Sequence, residues 1–246
     1  MRLTLLLLLA PTLAFAHKPS YDVGGWDSPE SPYPVEDTQV SIAVYAPVTC
    51  ESPELWLEFD GLAGDPLYVQ LGVPLISRLV SFRPMAAILA PGLPEPPDDL
   101  PFAVPEGLGV QLLGPHGDER PEIFFEPFTG TESWVHGETT IYLPEDGAGY
   151  VVAWDPDATT GKLWLAVGTV EEFGPDDFAF MGEWTQRTRA FHEHEGYEPT
   201  EPTSNDDCVT EEPAAGCAVA PGVAGWLPLL LLGWRRSPRQ SAKSTQ

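Results

Sequence analysis

Five histidines lie in the 246 residues of this chain, and one of them, His17, has donors preplaced for metal chemistry. It follows the stretch "LAFA", so cleavage after Ala16 leaves it as the first residue, with an imidazole and a free α-amine on the same side of the cut. The α-amine has a reference pKa of about 8 and yields its proton to a bound metal near neutral pH. With a second imidazole, this nitrogen-rich set suits copper. His116 and His136, both near the ends of expected strands, are the candidate partners, while Lys18 adds a positive charge next to the site.

Such a site resembles the histidine brace of copper-dependent polysaccharide monooxygenases and related copper carriers. That resemblance implies copper binding by His17 with a second imidazole, for which His116 and His136 are the candidates. Other chemistries have weaker support. The sequence has no G-x-S-x-G, Walker loop, G-x-G-x-x-G or C-x-x-C. In "HEHEG" (192–196) the two histidines are two residues apart, which on a helix turns their rings about 200° from each other, unlike H-E-x-x-H. "HGE" (136–138) has the H-x-E of zinc deaminases without a following P-C-x-x-C. Both stretches are expected to be solvated. No catalytic residue is assigned. The acidic turn "DPDATTG" (155–161) offers oxygen ligands of the kind calcium takes, although Asp, Pro and Gly are also what a turn between strands requires.

The ends of the chain set the expected address. Residues 1–16 combine Arg2, a leucine-rich run and an A-x-A cleavage site ending at Ala16, the order of a secretory signal peptide. Residues 216–234 carry no charge and are followed by Arg235 and Arg236. That is an apolar stretch of about the length a membrane span needs, with cations holding its far end in the cytoplasm. The arrangement of Cys217, hydrophobic segment and basic tail (235–246) resembles the MYXO-CTERM type of C-terminal sorting signal. The resemblance implies processing near Cys217 and retention at the cell surface.

Every one of the 37 acidic residues lies between those two ends, against Lys18, Arg78, Arg83, Arg120, Lys162, Arg187 and Arg189. A surface this negative repels phosphate backbones, which excludes nucleic acid as a partner. A surface glycan, peptide or protein ligand stays open. Three cysteines in an exported chain suggest a disulfide. Cys50 with Cys208 is expected if Cys217 is consumed in processing, and Cys208 with Cys217 is the competing bridge.

These residues need a scaffold, and the pattern supplies one. Residues 17–37 read as an extended N-terminal arm. The runs 38–45, 54–60, 66–73, 85–90, 109–113, 139–143, 150–155 and 163–168 are short, rich in β-branched and aromatic residues, and separated by turn signals such as "EDGAG". Without helical crossovers between them, they predict a mostly β, antiparallel, jelly-roll-like sandwich over 38–170. In "ELWLEFD", Leu55, Leu57 and Phe59 face the core while Trp56, Glu58 and Asp60 face water. Phe124, Phe125, Phe128 and Trp134 form an aromatic cluster that is either core or a binding strip. The block 139–168 resembles the closing strands of PPC-like (pre-peptidase C-terminal) domains of exported bacterial proteins, which implies an accessory sandwich with no active site to carry over. A short amphipathic helix capped by Asp176 is expected within 171–195. Its stripe Phe178, Met181, Trp184, Thr188 and Phe191 packs on the sandwich, and an acidic, Pro-rich stalk (196–215) leads to the anchor.

Overall fold

The computed structural model describes residues 17–22, 24–114 and 121–194. The expected signal, stalk and anchor, with Ala16, His116, Cys208, Cys217, Arg235 and Arg236, lie outside the described residues. The strands are β1 (Lys18–Tyr21), β2 (Tyr33–Val35), β3 (Ile42–Val48), β4 (Glu54–Gly61), β5 (Pro66–Pro74), β6 (Met85–Ala90), β7 (Gly109–Leu113), β8 (Glu122–Glu126), β9 (Thr131–Tyr142), β10 (Gly147–Trp154) and β11 (Gly161–Val167), followed by helix α1 (Asp177–Phe191). They form a six-stranded sheet, ordered β1-β3-β11-β5-β9-β8, and a five-stranded sheet, ordered β2-β4-β10-β6-β7.

Alternation explains the main core. On β5, Leu67, Val69, Leu71 and Val73 point inward and are fully buried; on β11, Leu163 and Leu165 do the same. They meet Leu55, Leu57, Phe59, Ile88 and Val151 of the other sheet in one apolar cluster. Burial of a side chain of this size contributes on the order of 1.5–3 kcal/mol, which makes the inward positions the ones that set register.

Three expectations are corrected by the fold. First, pairing is antiparallel except at two edges, where β1 runs parallel to β3 and β2 parallel to β4, so both sheets are mixed. These strands lie within 17–37, where short Pro-containing runs such as "KPSY" and "YPV" carry no period of their own and take their conformation from a neighbouring strand. Second, Trp56 is fully buried rather than facing water. The Pro-rich segment 91–108 folds back over the outer face of the five-stranded sheet and brings Phe102 edge-on to Trp56 (centroids 5.1 Å) and to Trp154 (5.1 Å). Trp56 Nε1 donates to Glu54 at 2.6 Å, which satisfies its polar atom.

Third, α1 packs by its C-terminal half. Thr188 is buried, and Phe191 sits edge-on to Tyr45. Phe178 and Phe180, at the start of the helix, are 63% and 51% exposed. The first turn is tied down by charge: Asp177 accepts from the Gly174 amide (2.7 Å) and pairs with Lys18 (2.9 Å). Asp176 occupies the N-cap position but makes no side-chain cap bond. At the other end the Lys162 ammonium donates to the Phe191 carbonyl (3.1 Å), meeting a terminal carbonyl where the helix dipole favours a cation.

Candidate functional site

The outer face of the six-stranded sheet is only partly covered by α1, and the site lies on the part left open. Its floor depends on local irregularity. Gln70 is paired with Glu138 and Leu71 with Gly137, whereas Gly72 is paired with Val135, so His136 is the extra residue of a β-bulge. A bulge re-aims the side chain it carries. His136 is 5% exposed, and neither ring nitrogen has a hydrogen-bond partner among the described residues. Burial, with the Arg83 charge in support, lowers its pKa to about 4.

His17 arrives from the start of β1, where its Nδ1 is hydrogen-bonded to Ser41 Oγ. Burial lowers its pKa to about 4 as well. The two imidazoles line a single cavity of about 570 Å³, together with Tyr68 and Gln70 of β5, Glu122 to Phe125 of β8, and Gly168 and Thr169 beyond β11. Across its wall, Glu138 accepts from Tyr68 Oη (3.1 Å) and Gln70 Nε2 (3.0 Å). Burial and the Glu138 charge push the Tyr68 hydroxyl pKa up, so it stays protonated as a donor. The cavity wall thus combines the neutral histidines His17 and His136, the ring nitrogens of His136 sealed from solvent, with the carboxylates of Glu122 and Glu138, the latter held by two donors, and the half-buried ring of Phe124.

A second polar constellation adjoins it. Trp164 Nε1 donates to Ser133 Oγ (3.0 Å), Ser133 Oγ lies 3.0 Å from His192 Nε2, and His192 Nδ1 lies 2.8 Å from the Thr188 carbonyl. The last contact makes Nδ1 the protonated nitrogen, so Ser133 donates to Nε2. Trp164 reaches Ser133 by lying across β5 at Gly72, where a Cβ would come within 2.1 Å of its ring. A serine beside a histidine base invites a nucleophilic reading. The gap bounded by His17, Ser133, Trp164 and His192 is only about 10 Å³, room for a single water at most, so no acyl group reaches Ser133. The pair acts as a buried bolt between α1 and β9.

The structure therefore brings His17 and His136 together. It buries "HGE" and "HEHEG" at His136 and His192, where solvated residues were expected, because a bulge and a helix C-terminus turn these rings inward. Glu193 pairs with Arg78 and with Lys162 (3.0 Å); burial alone would raise its pKa, but these bonds outweigh it and hold the carboxylate below its usual range. In the acidic turn, Asp155 Oδ2 accepts from the Thr159 amide (2.9 Å) and hydroxyl (2.6 Å), which is ordinary turn capping. Among the described residues no three His, Cys, Asp or Glu side chains form a metal-holding group. Cys50 is disulfide-bonded. The aromatic cluster divides: Phe125 is 54% exposed, Trp134 packs on the core, and Phe124 lines the cavity.

No protein-family model matches the chain. No curated protein matches it either. Among solved structures it is similar to PliG of Aeromonas hydrophila, a periplasmic inhibitor of g-type lysozyme, at 17% identity over 62% of this chain and 98% of that one, with a TM-score of 0.31. CorA, a surface-associated copper-binding protein important in copper acquisition by Methylomicrobium album BG8, aligns at 12% identity over 57% of this chain and 98% of that one (TM-score 0.29). MopE, a secreted protein of Methylococcus capsulatus in which an oxidized tryptophan facilitates copper binding, aligns at 12% identity over 48% and 70% (TM-score 0.22). Likenesses this distant transfer neither family nor function.

Proposed function

We propose that this chain is an exported binding module, held at the cell surface by its C-terminal segment, with its ligand site in the cavity on the outer face of the six-stranded sheet. One observation carries the reading: a cavity of about 570 Å³ whose wall holds a buried histidine with both ring nitrogens unpartnered among the described residues. Leaving buried polar atoms unpaired costs about 1–3 kcal/mol each, a cost that a ligand supplying a partner recovers. Thermal-shift screening of the processed protein against glycans, peptides and metal ions tests the reading. A stabilising ligand whose effect disappears on filling the cavity with His136→Phe is expected; a ligand whose effect survives that change removes the cavity from the function.

A second reading is favoured by His17 and His136 sharing that cavity: they hold copper. Both rings are neutral at pH 7, as a metal requires, and Lys18 is neutralised by Asp177 rather than opposing a cation. Chelation by the α-amine requires Nδ1 of the same residue, the atom that Ser41 engages, so a brace displaces Ser41 while simple imidazole ligation uses Nε2. Copper titration separates these. Affinity at least tenfold weaker in His136→Ala supports the site, and a further loss on adding one residue before His17 assigns the amine. Affinity indifferent to both changes ends the copper reading. For the bridge at Cys50 we propose Cys208 as partner, tying the stalk to the sandwich; a non-reducing digest that links Cys50 to Cys217 overturns it.

A further inference from the structure

Strand β8, Glu-Ile-Phe-Phe-Glu, is the outermost strand of the six-stranded sheet, paired with β9 and with no other strand among the described residues. An edge strand exposes a row of backbone donors and acceptors, and proteins blunt such edges with proline, lysine or brevity. The opposite edge follows that rule, with Lys18 and Pro19 in a four-residue strand; so does β2, three residues long with Pro34 at its centre. β8 contains neither proline nor lysine, although Pro121 and Pro127 flank it. Its apolar residues are also left bare: Ile123 is 55% and Phe125 54% exposed on one face, and Phe128 adds a ring just beyond the strand.

Charge selects among possible occupants. In register with β9, Glu122, Phe124 and Glu126 share the outer face, four residues separating the two carboxylates. A second copy pairing antiparallel across a two-fold axis would set Glu122 against Glu126, which is destabilising, and a net charge of −25 repels it further. Glu126 already has Glu171 as an unfavourable neighbour. The complement is a strand with cations four residues apart and apolar side chains between them.

We propose that the free edge of β8 is a docking site for an extended segment of a partner protein, added as a seventh strand and carrying lysine or arginine at both ends of a three-residue apolar run. The cations lie opposite Glu122 and Glu126, the central apolar residue lies beside Phe124, and the two flanking ones cover Ile123 and Phe125. Backbone hydrogen bonds supply affinity and the alternating side chains supply selectivity. Glu122 to Phe125 also line the cavity, so this interface borders that site and differs from it in using the edge of the strand rather than His17 and His136.

The test is fluorescence anisotropy of a labelled peptide containing Lys-Val-Ile-Val-Lys against the full-length protein. Saturable binding is expected, weakened at least tenfold by Glu122→Lys with Glu126→Lys, and transferred by that charge reversal to the peptide containing Glu-Val-Ile-Val-Glu. N-methylation of alternate peptide amides, which leaves the protein untouched, abolishes binding to the native strand. The proposal is overturned by binding that ignores N-methylation, by equal binding of a scrambled lysine peptide, or by sedimentation showing a dimer that Phe125→Glu dissociates.

Discussion

His192 and His136 show how one residue type acquires two roles from its surroundings. Each has its pKa lowered to about 4 against a reference of 6.5, mainly by burial, but His192 has both nitrogens in hydrogen bonds while His136 has neither bonded among the described residues. A histidine whose folded pKa lies below its unfolded value binds protons more strongly when unfolded. Its contribution to stability is therefore complete above about pH 6.5 and is lost as pH falls toward 4. For a site as buried as His192 the loss amounts to on the order of 3 kcal/mol. Glu54 and Glu126, whose carboxyl pKa values are raised by burial, act in the opposite sense as the acid limb is descended. Urea midpoints measured from pH 7 to 4.5 should fall across this window, and His192→Gln should flatten the fall; an unchanged slope in that variant assigns the acid limb elsewhere. A second residue-scale expectation concerns Gly72. A methyl there meets the Trp164 indole, so Gly72→Ala should cost about 1–3 kcal/mol and alter tryptophan emission.

At the scale of elements, α1 and the segment 91–108 cover their faces by different physics. The helix is held at its C-terminal end by polar bonds: Tyr21 Oη to the Trp184 carbonyl (2.8 Å), Arg189 Nε to the Thr129 carbonyl (2.6 Å), and Lys162 to Phe191 and Glu193. Glu193→Gln removes the charge that Arg78 and buried Lys162 share, and with it the ion pair each makes there. Hydrogen exchange in the last two turns of α1 should then rise at least tenfold while exchange in β5 and β11 stays slow; equal change in both would mean global rather than local opening. The segment 91–108 relies on aromatic packing instead, through Phe102 against Trp56 and Trp154. Phe102→Ala should destabilise by on the order of 3 kcal/mol and red-shift tryptophan emission as both indoles meet water.

For the whole molecule, a net charge of −25 on 246 residues means that repulsion among carboxylates opposes the compact state. Added salt screens exposed charges beyond about 8–10 Å, so the unfolding temperature should rise between low ionic strength and 0.5 M sodium chloride, a change well beyond about 0.15 M. A fall would indicate that the ion pairs Lys18–Asp177 and Arg78–Glu193–Lys162 outweigh the general repulsion. The same charge accounts for the selectivity proposed at the β8 edge, where only a cationic strand approaches without penalty.

Much of the frame was legible in the residues themselves. Short runs rich in β-branched and aromatic residues between turn signals marked β3 to β7, β10, β11 and the end of β9, with alternation explicit in β4; the three-and-four spacing after Pro175 marked α1. What lay beyond the sequence depends on partners distant along the chain. β1 and β2 are ordered by the parallel strands beside them, and the run 123–137 folded into the β8–β9 hairpin although its aromatics do not alternate cleanly. Trp56 carried the signature of an outward residue, and only the return of Phe102 across 46 residues of chain buried it. The cavity belongs to the tertiary structure alone: a one-residue bulge placed His136, the pairing of β1 with β3 placed His17, and nothing local to either histidine specifies that they line one cavity.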